Sequence, residues 1–223
     1  MGEEMIDVVI PTYITSNKHL AMTLKCIDLA KNKTKLKFNT IIVETCSSYL
    51  QEYADVYIYE KERTTADRSI NRAFSACRGK YVVLLTNDSF VSDNWLVSLL
   101  ECFEKKQDCG ASTLASTQFG HAKEDLIAEG IWCSVFMTYR IFANFDENYV
   151  NSWEDSDMLM NIYSANLKMY RNFKSIVEHT PGQTVYQDKL TQDNYEKNRV
   201  YFTNKWKDSN LHIYKVLTEG IIL

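Results

Sequence analysis

The segment from Asn71 to Trp95, NRAFSACRGKYVVLLTNDSFVSDNW, constrains the fold more than any other part of the chain. A helix-like run halts at Arg78-Gly79, five apolar residues follow from Tyr81 to Leu85, and the run breaks off in Thr86-Asn87-Asp88-Ser89. A strand that is apolar at every position is covered on both faces, as in a parallel sheet layered between helices. Its abrupt polar end sets the Asp88 carboxylate at the strand's carboxyl edge, along which open α/β sheets hold their ligands. A cation and a phosphate would meet there.

The flanking sequence keeps the same rhythm. Ile6 to Ile10 predicts a first strand that stops at Pro11, since proline has no N–H to give a ladder. A helix from about His19 to Lys31 follows, with Leu20, Leu24 and Ile27 near one stripe. Phe38 to Glu44 is a second strand with a polar end, Val56 to Tyr59 a short third, and about Ala66 to Cys77 a helix leading into Tyr81. Beyond it come an amphipathic helix from Asp93 to Lys105 and strands at Cys109 to Leu114 and Ile131 to Met137. A helix opens at Asn151 and runs to about Leu167. A long strand-like stretch, Lys168 to His179, precedes Thr180-Pro181-Gly182, and a helix from about Asn194 to Trp206 comes after it. The last residues carry no readable pattern. Strand and helix alternating in this way predict an α/β domain with a mostly parallel central sheet flanked by helices.

At 223 residues the chain suits a single domain over 1–223. Its 25 basic and 29 acidic side chains are dispersed, which excludes broad electrostatic capture of nucleic acid. The acidic start MGEEMIDVVIPTY is no secretory signal, and no apolar run nears the roughly 20 residues that span a bilayer. The expectation is a soluble, cytoplasmic protein without a transmembrane segment. Six cysteines without a CxxC pair are expected to be reduced core residues.

Taken in order, VVIPTY, IIVETCSS, the Asn71 helix with RGKYVVLLTND, GIWCSVF, FDENY with WEDSD, and VEHTPGQT form a set. Over about Asp7 to Gln183 the sequence resembles the inverting glycosyltransferases of family 2, which have the GT-A fold. The resemblance implies a Rossmann-like nucleotide-sugar half over about 1–115 and an acceptor and catalytic-base half over about 116–223. It implies donor contacts from Pro11, Thr12, Tyr13, Glu44, Arg68, Asn71, Asn87 and Asp88. The family's metal-holding Asp-x-Asp element aligns with Thr86-Asn87-Asp88, so only its last carboxylate is present. His179 stands where many members close the metal site with a histidine. Asp155 of the Glu154-Asp155 pair takes the place of the catalytic base, with Trp153 and Glu154 toward the acceptor. The implied partners are a UDP-hexose, UDP-glucose first, and a glycan or other hydroxyl acceptor. The implied cofactor is a divalent metal, Mn²⁺ in preference to Mg²⁺, in keeping with one carboxylate and one imidazole ligand.

The residue types suit such a reaction. A divalent cation stabilises a departing diphosphate, and a carboxylate takes the proton of an attacking hydroxyl. Each residue also has a structural alternative. Ser152 with Asp155 three positions on reads as a capping box, and acidic residues favour a helix's first turn. Asp88 fits a turn, His179 a surface position, and Glu44 a solvated strand end. Arg68 could pair with Asp67 or Glu62. Tyr13 could stack on a base or cover the sheet edge, and Trp153 could staple the helix behind it. Two other functions compete. A sugar nucleotidyltransferase would need a Gly-rich basic loop that PTYITSNKH lacks, and a nucleotide-sugar-binding relic is prompted by Thr86.

Overall fold

The computed structural model describes residues 5–117, 126–179 and 189–219. Its strands are β1 (Ile6–Tyr13), β2 (Asn39–Thr45), β3 (Val56–Glu60), β4 (Tyr81–Leu85), β5 (Ser89–Val91), β6 (Cys109–Ser116), β7 (Ile127–Glu129), β8 (Val135–Tyr139) and β9 (Lys168–His179). The helices are α1 (Asn17–Asn32), α2 (Ala66–Ala76), α3 (Trp95–Lys105), α4 (Glu154–Ser164), α5 (Lys189–Trp206) and α6 (His212–Glu219). The strands form one sheet in the order β3-β2-β1-β4-β8-β6-β9-β5, with β7 beside β9. The first four strands, β1 to β4, all run parallel, as strand and helix alternation requires. In the second half β8 lies antiparallel to both β4 and β6, whereas β9 is parallel to β6.

Alternate residues of the central strands feed two cores, which explains why these strands read as unbroken apolar runs. Val9, Ile41, Val43, Val82 and Leu84 pack with Ile70 and Phe74 of α2, Leu159 and Ile162 of α4, Phe202 of α5 and Ile213 of α6. Their neighbours Val8, Ile10, Ile42, Val83 and Leu85 pack with Ile27 of α1 and Trp95 and Leu99 of α3. Trp95 is fully buried, and its indole N–H donates to the Ala30 carbonyl at 3.0 Å, tying α3 to α1.

The Arg78-Gly79 stop before β4 has a definite cause. Buried Asp7 accepts from the Arg78 and Gly79 amides through Oδ2, at 2.6 Å each. A Cβ on Gly79 would lie 2.4 Å from the Met5 carbonyl oxygen, so only glycine lets the two segments approach.

Several boundaries move. β1 continues through Pro11 to Tyr13 because its pairing with β4 ends at Val9, leaving the proline with a neighbour on one side only. The strand expected over Ile131 to Met137 is shifted to Val135–Tyr139, and β5, β7 and α6 had no counterpart in the sequence pattern. Among the described cysteines none is paired; Cys26, Cys77, Cys102 and Cys109 are buried, as expected of core residues, and Cys46 is exposed. Thr180, Pro181, Gly182 and Gln183 lie outside the described residues. No helix among the described residues is long and apolar enough to cross a membrane.

Candidate active site

A cavity of about 800 Å³ opens along the carboxyl ends of β1 and β4. Pro11, Thr12 and Tyr13 form its edge at the end of β1, where Thr12 Oγ1 donates to the Val43 carbonyl at 3.1 Å. The Arg63 guanidinium lies 4.9 Å from the centre of the Tyr13 ring, and both side chains line the cavity. At the end of β4, Asn87 Nδ2 donates to Thr23 Oγ1 at 2.9 Å, holding the turn against α1. Thr86 Oγ1 bonds to Ser89 Oγ at 2.7 Å and reaches the Ser134 carbonyl at 3.3 Å, so its hydroxyl serves the turn.

The register of a strand that the sequence did not reveal brings Asp88 and His179 together. β5 pairs antiparallel with β9, with Ser89 opposite His179, and this lays His179 Nε2 3.3 Å from Asp88 Oδ1 on the cavity wall. Two ligands each about 2.1 Å from one ion and at right angles lie about 3 Å apart, so the pair is spaced for a shared divalent cation. One hard oxygen and one imidazole nitrogen suit Mn²⁺ or a similar ion. These two are the protein ligands the site offers among the described residues, and phosphate or water oxygens would complete the shell.

Across the cavity stands the start of α4. Two residues with positive φ turn the chain there, Asn151 at 55° and Trp153 at 72°. Asp155 Oδ1 accepts from its neighbour's amide, Ser156 N, at 2.6 Å, and its backbone carbonyl accepts from the Trp132 indole at 2.7 Å. Burial pushes the Asp155 carboxyl above its ordinary range, against the pull of the Ser156 bonds. The Trp153 ring packs 5.0 Å from Phe202 and 6.0 Å from Tyr195, joining α5 to the cavity wall. Glu154 lines the same wall. The capping-box alternative does not hold. Ser152 precedes the helix by two residues and its Oγ accepts from Asn198 Nδ2 at 2.8 Å, while Trp153 occupies the N-cap without a side-chain bond.

Three expected donor contacts lie away from the cavity and need correction. Glu44 is fully buried, and its carboxylate is occupied by Ser47 Oγ, the Tyr49 and Leu50 amides and the Tyr57 hydroxyl, at 2.7–2.9 Å. It organises the turn after β2 and has no oxygen left for a nucleotide base. Arg68 points to solvent and pairs with Glu147 at 3.5 Å, not with Asp67 or Glu62. Asn71 is a clamp: its Nδ2 donates to the Phe145 carbonyl and its Oδ1 accepts from the Phe145 amide, at 2.9 and 2.8 Å. Sequence reasoning in turn missed Arg63, Trp132, Ser134 and Tyr195 on the cavity wall, and Asp67 beneath Glu154. Their signal was weak, since single polar or aromatic residues in loops and helices look alike whether or not they face a cavity.

Comparison with known proteins agrees with this fold. The sequence profile of "Glycosyl transferase family 2" matches residues 7–156. No curated protein is significantly similar in sequence. Among solved structures, TarS from S. aureus superposes with a TM-score of 0.69 at 12% identity, over 96% of this chain and 42% of TarS. The mannosyltransferase PcManGT from Pyrobaculum calidifontis, solved with GDP-Man and Mn²⁺, gives 0.67 at 13% identity over 96% and 68%. GalNAc-T7, solved with UDP, GalNAc and Mn²⁺, gives 0.66 at 12% over 96% and 54%. This chain thus spans less than half the length of TarS and about half that of GalNAc-T7, and at these identities the likeness is one of fold. With its profile covering most of the chain and its sheet laid out as in these GT-A enzymes, the protein belongs to glycosyl transferase family 2.

Proposed function

We propose that the protein is a divalent-cation-dependent, inverting glycosyltransferase that moves a hexose from a UDP-sugar to an acceptor hydroxyl, with UDP-glucose the first donor to test. The observation that carries this reading is that Asp88, His179 and Asp155 line one cavity together with Pro11, Thr12 and Tyr13. Asp88 and His179 would hold the cation, which supplies charge stabilisation to the departing diphosphate. Tyr13 and Arg63 offer a ring and a guanidinium to the nucleotide, and Asn87 keeps the Asp88 turn in place. Asp155, on the opposite wall, would take the acceptor proton as the new bond forms, so that attack comes from the side away from the leaving group and inverts the anomeric centre. Trp153 and Glu154 flank the position where the acceptor would lie. The neighbours solved with UDP or GDP-Man together with Mn²⁺ support a nucleotide-sugar donor and a metal of this kind.

A panel of nucleotide sugars incubated with Mn²⁺ or Mg²⁺, read as released nucleotide, tests the reading. Release from a UDP-hexose that is faster with Mn²⁺ and is abolished by a chelator is expected. Donor binding without release under any condition would favour the alternative of a binding relic, which the engaged Thr86 hydroxyl keeps in view.

A further inference from the structure

Asp67 has no part in the chemistry above, yet it is fully buried within reach of the proposed base's charge. It sits in the first turn of α2, and Glu154 is the first residue of α4, so the two carboxyls come from different helices. Asp67 Oδ2 accepts from the Asn151 amide at 3.1 Å, and Asn151 Oδ1 accepts in return from the Ala66 amide at 2.7 Å. This reciprocal clamp fastens α2 to the turn that carries Asp155. The remaining oxygens, Asp67 Oδ1 and Glu154 Oε2, are buried and receive no N–H or O–H from any neutral or basic group among the described residues. The two carboxyl side chains are close neighbours, near enough to share a hydrogen bond once one of them is protonated.

Two ionised carboxylates in a dry contact repel, and one proton between them converts the repulsion into a hydrogen bond. Burial, followed by the charges of Asp67 and Asp155, pushes Glu154 well above the usual carboxylate range. Burial likewise pushes Asp67 up to about 6, opposed by the Asn151 and Glu154 bonds and assisted by the charge of Asp155. Asp155 is the charged neighbour that bears on both. The nearby cations are engaged elsewhere: Arg68 turns to Glu147, Lys205 to Asp146 and Asp157, and Arg63 lies over Tyr13.

We propose that Asp67 and Glu154 hold a single proton between them at neutral pH and that the pair is the positioning element for Asp155. The role of Asp155 as base rests on the transferase reading; the shared proton does not. With the proton in place the pair carries one negative charge, the turn at 151–153 stays closed on α2, and Asp155 remains the carboxylate open to the acceptor. Loss of the proton at alkaline pH leaves three adjacent negative charges and drives the turn apart. In Asp67→Asn the amide N–H replaces the bridging proton, and in Glu154→Gln the donor comes from the other side. Each variant therefore keeps one negative charge at any pH above the acid range.

Infrared spectroscopy of the purified protein and thermal unfolding against pH test the proposal without any turnover. The wild type should show the carbonyl stretch of one protonated carboxyl at neutral pH, and that band should be lost in both Asp67→Asn and Glu154→Gln. The melting temperature of the wild type should fall more steeply toward alkaline pH than that of either variant. Where transfer is measurable, the alkaline limb of its pH profile should move upward in Asp67→Asn. A wild type without the band, a band that survives both substitutions, or parallel melting curves would overturn the proposal. Should no donor be turned over, the transferase reading fails alone, because the infrared and melting results stand apart from it. If one variant does not fold, the other carries the same test.

Discussion

Asp155 and the Asp88–His179 pair make opposite demands on a substitution. Asp155→Asn keeps the volume and the Ser156 bonds of the side chain but removes its basicity, so donor affinity should persist while the transfer rate falls about 10²–10⁴-fold, checked by parallel binding and turnover measurements. The raised carboxyl of Asp155 adds a direction: transfer should rise with pH through its titration, since only the ionised form accepts the proton. Asp88→Ala or His179→Ala should instead abolish Mn²⁺-dependent donor binding, seen by calorimetry with and without chelator. Asp88 and Asp155 were legible because each sits in a motif with a fixed neighbour. Asp67 was not, since one carboxylate in ADRSINR reads as a solvated helix face, and only the fold turns it inward against α4.

At the scale of elements, β2 ends in a turn built around the buried Glu44 carboxylate. Glu44→Ala strands the buried Leu50 amide and frees the part-buried Tyr49 amide, and should lower stability by about 1–3 kcal/mol in urea unfolding with donor affinity unchanged in the folded fraction. A role in base recognition would give the reverse pattern. The clue was local: the donors at Ser47, Tyr49 and Leu50 lie three to six positions from Glu44, within reach of an acidic strand end that organises its own turn. Gly79→Ala should cost about 1–3 kcal/mol, because the added methyl would meet the Met5 backbone, which cannot rotate aside as a side chain would. β4 and β9 were read to the residue because polar or Pro-Gly breaks, Thr86-Asn87-Asp88 and Thr180-Pro181-Gly182, follow each of them in sequence. β5 was invisible at three residues, although its register decides where His179 stands.

For the molecule as a whole, the pH dependence of stability follows from two opposed sets of carboxyls. Asp67, Glu154 and Asp155 have raised folded values, so the stability they contribute is present at low pH and is lost as pH climbs from about 4 through those values. Burial disfavours the charges of Glu101 and Asp146 as well, but Lys105 and Lys174 on one and Lys205 on the other outweigh it and lower both to about 2. Their contribution is present above about 4 and is lost as pH falls toward 2. The melting temperature should therefore peak on the acid side, near pH 4–5, in a series of scans at constant ionic strength. The α/β architecture was legible throughout the first half, where strand and helix alternate. It was less so in the second half, where β8 joins the sheet antiparallel and α6 is too short to show a period.

The cavity takes its walls from Pro11 at one end of the sequence and from Leu217 on α6 near the other. A chain emerging from the ribosome would thus carry the β1 side of the cavity well before the α6 side exists. The wall that Leu217 supplies is in place only once α6 has emerged and docked, so that ligand capture would report on the docking of that helix.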